Sequence, residues 1–209
     1  AYFLVEMAVR EGLRDWVLIP CNDHAVYTIS RHKRMLEKYY KVITPEQGII
    51  DNIYDKMNLI QIAKANGIPV PSTYVFHSPE TAVDEPLQFP VLTKGRNGLS
   101  FYEALGRKAI LSRNVHELKK HLSWVNSSYG VEKSFTQEMI PLNGNNRTVS
   151  FTAFCIDGRI VNHWTGIKLR EHPLQFGVAT FTQSSHIQEC LWLSGHLLRA
   201  IPYTGVCEA

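Results

Sequence analysis

The sequence predicts an α+β fold, and three observations carry that reading. Short apolar runs of strand character are followed by amphipathic stretches of helical period, as where Trp16-Val17-Leu18-Ile19-Pro20 leads into residues 24–40. The stretch 51–66, DNIYDKMNLIQIAKAN, spaces Ile53, Met57, Ile60, Ile62 and Ala63 as an apolar helix face and ends at Gly67, a residue suited to the left-handed position that closes a helix. Two alternating runs, 148–156 and 159–165, flank Asp157-Gly158, a strong hairpin turn.

The remaining elements follow in order. Residues 2–14 read as an amphipathic helix and 16–20 as a buried strand with Cys21-Asn22-Asp23-His24 at its carboxyl end. Asp23 suits either a ligand contact or the cap of the next helix, and the cap is the simpler role. Ile68-Pro69-Val70-Pro71-Ser72-Thr73 is a proline-stiffened turn into a strand at 74–76. An acidic loop over 77–88 leads to the strand opened by Phe89-Pro90-Val91-Leu92. The three glycines and mixed polarity of 95–106 predict a hairpin with a mobile loop. Helices are expected at 114–126 and 186–200 and a strand at 134–140, with a turn at 143–146. Both ends of the chain read as cuts through elements, so a piece of a longer protein is expected.

Composition bounds the function. A chain of 209 residues with 44% hydrophobic content supports one large domain or two small ones. The net charge of +3 is small, and the densest basic stretch, Arg31-His32-Lys33-Arg34, reads as a solvated helix face rather than a nucleic-acid patch. Cys21, Cys155, Cys190 and Cys207 show neither disulfide nor zinc spacing, which fits a reducing, cytoplasmic setting. No apolar run approaches the roughly 18 residues of a membrane span. His24, His163, His172 and His186 lack ligand spacing, Trp164 and Trp192 read as core residues, and Ser100 and Ser184 have no triad partners.

Three features point to an anionic ligand. Asp55-Lys56 opens a helix, Lys94 closes the apolar strand Phe89-Pro90-Val91-Leu92-Thr93, and Gln137-Glu138-Met139-Ile140 ends another strand before a turn. Two lysines on separate elements can clamp polyphosphate oxygens as point charges, and a glycine-bearing loop can offer backbone N–H groups. The stretch Gln137 to Ile140 offers backbone donors and acceptors among apolar neighbours, which suits an adenine ring.

The order of these pieces resembles the ATP-grasp superfamily: a DK pair, then Gly67-Ile68-Pro69-Val70-Pro71-Ser72-Thr73, then FPV-x-x-K, then QEMIP and a D-G hairpin. It is most similar to the carboxylate–amine ligase branch, D-aspartate ligase-like and carbamoyl-phosphate-synthase-like, through Lys168-Leu169-Arg170-Glu171-His172-Pro173, Phe176-Gly177 and Tyr203-Thr204-Gly205-Val206. The resemblance implies two α/β subdomains clamping a nucleotide: the end of a preceding domain over 1–45, a linking helix over 46–69, a small subdomain over 70–139 and a second one over 140–209. It implies a ligase that uses Mg-ATP, with manganese as a substitute ion, to activate a carboxylate as an acyl phosphate for capture by an amine. Small-molecule carboxylate and amine substrates, no nucleic acid, no membrane and a homodimer are compatible with it. A non-catalytic nucleotide-binding module is the alternative.

By the same resemblance Lys56 and Lys94 contact phosphates, Gln137, Glu138, Met139 and Ile140 hold adenine, and Lys168 and Arg170 face the γ-phosphate and the acyl phosphate. The alternative role of the last two is ion pairing with Glu171. The acid that usually follows QEMIP to bind ribose is replaced by Asn145 or Asn146. The metal carboxylate falls on Glu208, and the Glu-x-Asn pair of the family lies outside this sequence.

Overall fold

A computed structural model describes residues 1–83, 85–140, 147–172, 174 and 177–208. These pack as two compact units, Ala1–Tyr54 with Val149–Ile167 and Ser184–Ala209, and Asp55–Thr148 with Lys168–Gln183.

In the first unit, α1 (Tyr2–Arg10), α2 (Asp23–Arg31) and α3 (Lys33–Leu36) surround a parallel pair, β1 (Val17–Leu18) with β2 (Lys41–Val42). Ala8, Ile29, Leu36 and Tyr40 form their core, and the Tyr40 hydroxyl donates to the Leu4 carbonyl at 2.7 Å. A second core gathers Ile50 of α4 (Gln47–Tyr54), Phe151, Ala153 and Cys155 of β7 (Val149–Ile156), and Leu198 of α8 (Gln188–Ala200). The inward residues of β7 alternate, as expected for a sheet with one covered face. Its sheet runs in the order β10 (Gly205–Glu208), β7, β8 (Arg159–His172), β9 (Val178–Ser184). The Asp157-Gly158 turn has positive φ at both residues, 49° and 71°, which matches the twist of a two-residue hairpin.

The second unit is built on an antiparallel sheet in the order β3 (Thr73–Tyr74), β6 (Ser134–Glu138), β4 (Val91–Gly95), β5 (Ile110–Ser112). One face of it meets α7 (Val115–Ser128), where Leu118 and Leu122, a turn apart, pack with Val91. Val125 continues that stripe against Phe101 and Leu105 of α6 (Gly98–Leu105) and Ile110 of β5. Asn114 caps α7 by accepting the Glu117 N–H at 2.9 Å.

Several expectations need correction. The helix expected at 51–66 divides: α4 stops at Tyr54, and α5 (Lys56–Ala65) starts afresh because the Asp55 carboxylate accepts the Met57 N–H at 2.9 Å and acts as its N-cap. The hairpin expected at 95–106 is a turn followed by α6. Asn97 caps that helix by accepting the Leu99 and Ser100 N–H groups at 3.1 and 2.9 Å, and Gly106 ends it at φ 67°. Residues 24–40 form two short helices, and Asn22 rather than Asp23 caps the first, accepting the Ala25 N–H at 2.8 Å. The expected buried strand at 16–20 is short and exposed, with Trp16 and Ile19 both 61% accessible. Trp192 is exposed on α8 instead of buried, because the packed side of that helix is carried by Leu191 and Leu198, seven residues apart, and Trp192 is turned about 100° from Leu191.

Candidate functional site

Each face of the second unit's sheet mixes apolar and polar side chains, and Lys94 stands on the face that also carries buried Leu92 and Phe135. Val91 and Thr93 point to the α7 side, where the Thr93 and Thr136 hydroxyls meet at 3.1 Å in a fully buried cross-strand pair. Lys94 shares the other face with Gln137, since Leu92 stands opposite Gln137 in register and Lys94 is two residues along.

On that face a polar ladder crosses three strands. The Lys94 ammonium donates to Gln137 Oε1 at 3.1 Å, Gln137 Nε2 donates to Thr73 Oγ1 at 3.0 Å, and the Thr73 hydroxyl donates to the Pro71 carbonyl at 2.8 Å. The order of donors is forced. With its only proton on Pro71, the Thr73 oxygen can only accept, so the Gln137 amide turns its nitrogen to Thr73 and its oxygen to Lys94. A half-buried lysine is thus oriented by a neutral acceptor and keeps its positive charge uncompensated by that contact.

Burial lowers the Lys94 pKa from the ordinary 10.5, and the charge of nearby Lys56 lowers it further. Two ammonium groups held within range of one another raise each other's electrostatic cost, and an anion between them would relieve it. Lys56 reaches the same place from the first turn of α5. Its Nζ lies 2.8 Å from where a Cβ on Gly98 would be, so the missing side chain of Gly98 makes the space for the ammonium. Gly95 is needed for a separate reason, as a Cβ there would collide with the Phe101 side chain and sit 2.7 Å from the Asn97 carbonyl.

Arg96 fixes α5 to the turn after β4. It donates to the Asp55 carboxylate through Nε at 2.9 Å and Nη2 at 2.6 Å, while the Lys56 N–H donates to the Arg96 carbonyl at 3.0 Å. Burial works to raise the Asp55 pKa, but the Arg96 hydrogen bonds and the Met57 N–H outweigh it and hold the carboxyl below 3.8. The Asp55 bond to Arg96 in turn raises the guanidinium above its ordinary value.

The structure therefore brings Lys56, Lys94 and Gln137 together. Glu138, Met139 and Ile140 continue from Gln137 at the end of β6. There the Glu138 N–H donates to Ser72 and the Met139 N–H to Pro90, both at 3.0 Å, so those two donors are already engaged. The Glu138 carboxylate accepts from the Tyr74 hydroxyl at 3.3 Å and the Gln88 N–H at 3.4 Å, and Ile140 is exposed. Lys168, on β8, donates to Glu171 at 2.5 Å with both side chains largely covered, so the ion pair foreseen as its alternative role is present. Arg170 is exposed on the same strand. Asn145 lies outside the described residues. Glu208 is exposed at the end of β10, opposite Thr152 of β7. Among the described residues no three His, Cys, Asp or Glu side chains converge as a metal site. The roles of Arg96, Thr73 and Gly98, and the bond from Arg96 to Asp55, were not foreseen from the sequence. The Asn97 cap signal and the Phe101/Leu105 spacing would have shown that a helix places Gly98.

The D-aspartate ligase of Enterococcus faecium (strain Aus0004) is 21% identical to this chain over 203 residues, covering 92% of this chain and 48% of that protein. No family model matches the chain. Among solved structures, biotin carboxylase from Campylobacter jejuni, in a β-γ-ATP complex, superposes with a TM-score of 0.66 at 18% identity, covering 90% of this chain and 42% of that one. The N5-carboxyaminoimidazole synthase of Aspergillus clavatus, with ADP and aminoimidazole ribonucleotide, gives 0.63 at 13% identity over 90% of this chain and 45% of that one. The chain has the ATP-grasp fold. The L-amino acid ligase of Bacillus licheniformis adds a TM-score of 0.55 at 14% identity, over 90% of this chain and 49% of its own length. The chain is thus similar in sequence to a D-aspartate ligase and in fold to an L-amino acid ligase, and it spans about half the length of the curated relative it matches.

Proposed function

We propose that this ATP-grasp chain is the nucleotide-holding part of a ligase that activates a carboxylate with ATP for attack by an amine. The observation that carries the reading is the convergence of Lys56 and Lys94, one ordered by Gln137 and the other seated over Gly98. Such a pair matches the negatively charged oxygens of a polyphosphate. The family's adenine contacts fall on the strand end Glu138 to Ile140, next along the chain from Gln137.

In the reaction a carboxylate oxygen bonds to the γ-phosphorus while the bond to the β,γ-bridging oxygen breaks, releasing ADP. The amine then bonds to the acyl carbon, phosphate departs with the C–O bond electrons, and the nitrogen loses a proton. Lys56 and Lys94 neutralise the oxygens on which charge grows and hold them in line, which is most of what a protein contributes to phosphoryl transfer. Lys168 and Arg170 are the proposed contacts of the transferred group, and Asn145 the proposed ribose contact. Glu208 is the proposed magnesium ligand. One carboxylate falls short of the hard-oxygen set that this ion requires, so the described residues alone do not make its site, and no step is derived through it.

The test is calorimetric titration of the intact protein with a non-hydrolysable ATP analogue, repeated on Lys94→Ala. Binding that the substitution abolishes supports the reading. Absence of binding by the unaltered protein overturns it. Binding without phosphate release for any carboxylate and amine favours a non-catalytic nucleotide module.

A further inference from the structure

We infer that Asp55 and Arg96 form a positioning pair whose task is to hold the Lys56 ammonium beside Lys94, an inference that rests on the nucleotide reading of those two lysines. The turn after β4 would otherwise be free to separate from α5. Four hydrogen bonds join them. Three run from the Arg96 fork to the Asp55 carboxylate, and one runs from the Lys56 N–H to the Arg96 carbonyl. The last of these fixes the backbone of Lys56 itself.

The pair is more than a generic surface ion bridge. Asp55 is the residue immediately before Lys56 and the N-cap of α5, so its position sets where the first turn of that helix begins. Arg96 is two residues beyond Lys94 and two before Gly98, the residue whose bare Cα gives Lys56 its room. A single clamp therefore registers Lys56 against both of its neighbours. The bidentate geometry suits this task, because a planar fork fixes direction as well as distance, which a lysine at position 96 would not do.

Asp55→Asn keeps an N-cap oxygen but removes the charge pair, and Arg96→Gln removes the fork. Each should weaken binding of a non-hydrolysable ATP analogue by roughly tenfold, and the double variant should be little worse than either one. A second readout is independent of nucleotide: the rate at which an amine-reactive reagent labels Lys94 near neutral pH, followed by mass spectrometry. Lys56→Met relieves Lys94 of a neighbouring cation, so Lys94 stays protonated to higher pH and labels more slowly. Direct charge effects of Asp55→Asn and Arg96→Gln on Lys94 are opposite in sign. If both slow the labelling as Lys56→Met does, Lys56 has been displaced and the inference stands. If the unaltered protein binds the analogue and both variants keep its affinity, the inference is overturned while the nucleotide reading survives. If the unaltered protein does not bind, the nucleotide reading falls, and the labelling alone decides: a common slowing upholds the clamp, and opposite or absent changes overturn it.

Discussion

Lys56 and Gly98 are complementary: the ammonium of one lies 2.8 Å from where the other's Cβ would stand. Gly98 is the first residue of α6 and has an ordinary backbone conformation, so alanine suits the helix there and makes the flexible end of Lys56 shift. Gly98→Ala should leave the melting temperature unchanged or higher while weakening binding of an ATP analogue by about tenfold, equivalent to roughly 1.4 kcal/mol. Thermal unfolding and calorimetric titration on the same sample check both halves.

Thr73 orients Gln137 and, through it, Lys94. Thr73→Val removes the acceptor that fixes the amide, leaving the buried Gln137 nitrogen unpaired at a cost of about 1–3 kcal/mol. Expected results are a lowered melting temperature and weaker nucleotide binding. Gln137→Leu should be milder for stability, since it removes the amide altogether, yet equally harmful to binding. Comparing the two by calorimetry and thermal unfolding tests the ladder.

The depressed pKa of Lys94 has a pH signature. Its folded value lies below the 10.5 of the unfolded chain, so the unfolded state binds more protons and this group's contribution to stability increases as pH rises toward 10.5. A polyphosphate reverses the shift by favouring the charged form. Nucleotide binding should therefore take up protons, increasingly so as pH is raised toward 10.5, and Lys94→Met should abolish the uptake. Titrations in two buffers of different protonation enthalpy measure it.

His121 provides an acid-side counterpart. Its Nδ1 lies 2.8 Å from the buried Ser112 hydroxyl, and burial lowers its pKa below 6.5. The stability this confers is complete above 6.5 and is lost as pH falls through the depressed value. Melting temperatures taken between about pH 7.5 and 5.5 should fall less steeply in His121→Gln than in the unaltered protein.

The four thiols are free and should react in order of access. Cys21 is exposed, whereas Cys155 is fully buried and burial pushes Cys207 up to about 12. Cys21 should therefore label in the folded protein, and Cys155 and Cys207 only under unfolding conditions. Mass-spectrometric counting of alkylated cysteines decides it.

Much of this architecture was legible in the sequence because local signals and global packing agreed. The Asp157-Gly158 hairpin, the helix ended by Gly67 and the strand ending in Lys94 each carry their own turn or periodic pattern. What was hidden depended on partners distant in sequence. Asp55 stands inside the helix expected over 51–66, and beside its cap on Met57 it holds Arg96, 41 residues away, which no local pattern reveals. The glycines of 95–106 suggested a loop, but two of them serve close approaches, one to Phe101 and one to Lys56. The Thr73–Gln137–Lys94 ladder requires the strand order β3-β6-β4, which no single stretch of sequence declares.

That strand order has a consequence for how variation acts on the molecule. Because side chains alternate, sliding β6 by one position against β4 would drive Gln137 into the hydrocarbon layer under α7 and leave Thr136 facing the lysine. Half-formed sites are thus unavailable to this sheet: a molecule either pairs its strands correctly and possesses the cationic face, or is not folded. Changes on the α7 side, such as Leu118→Ala, should accordingly alter how many active molecules a cell holds and leave the behaviour of each one intact.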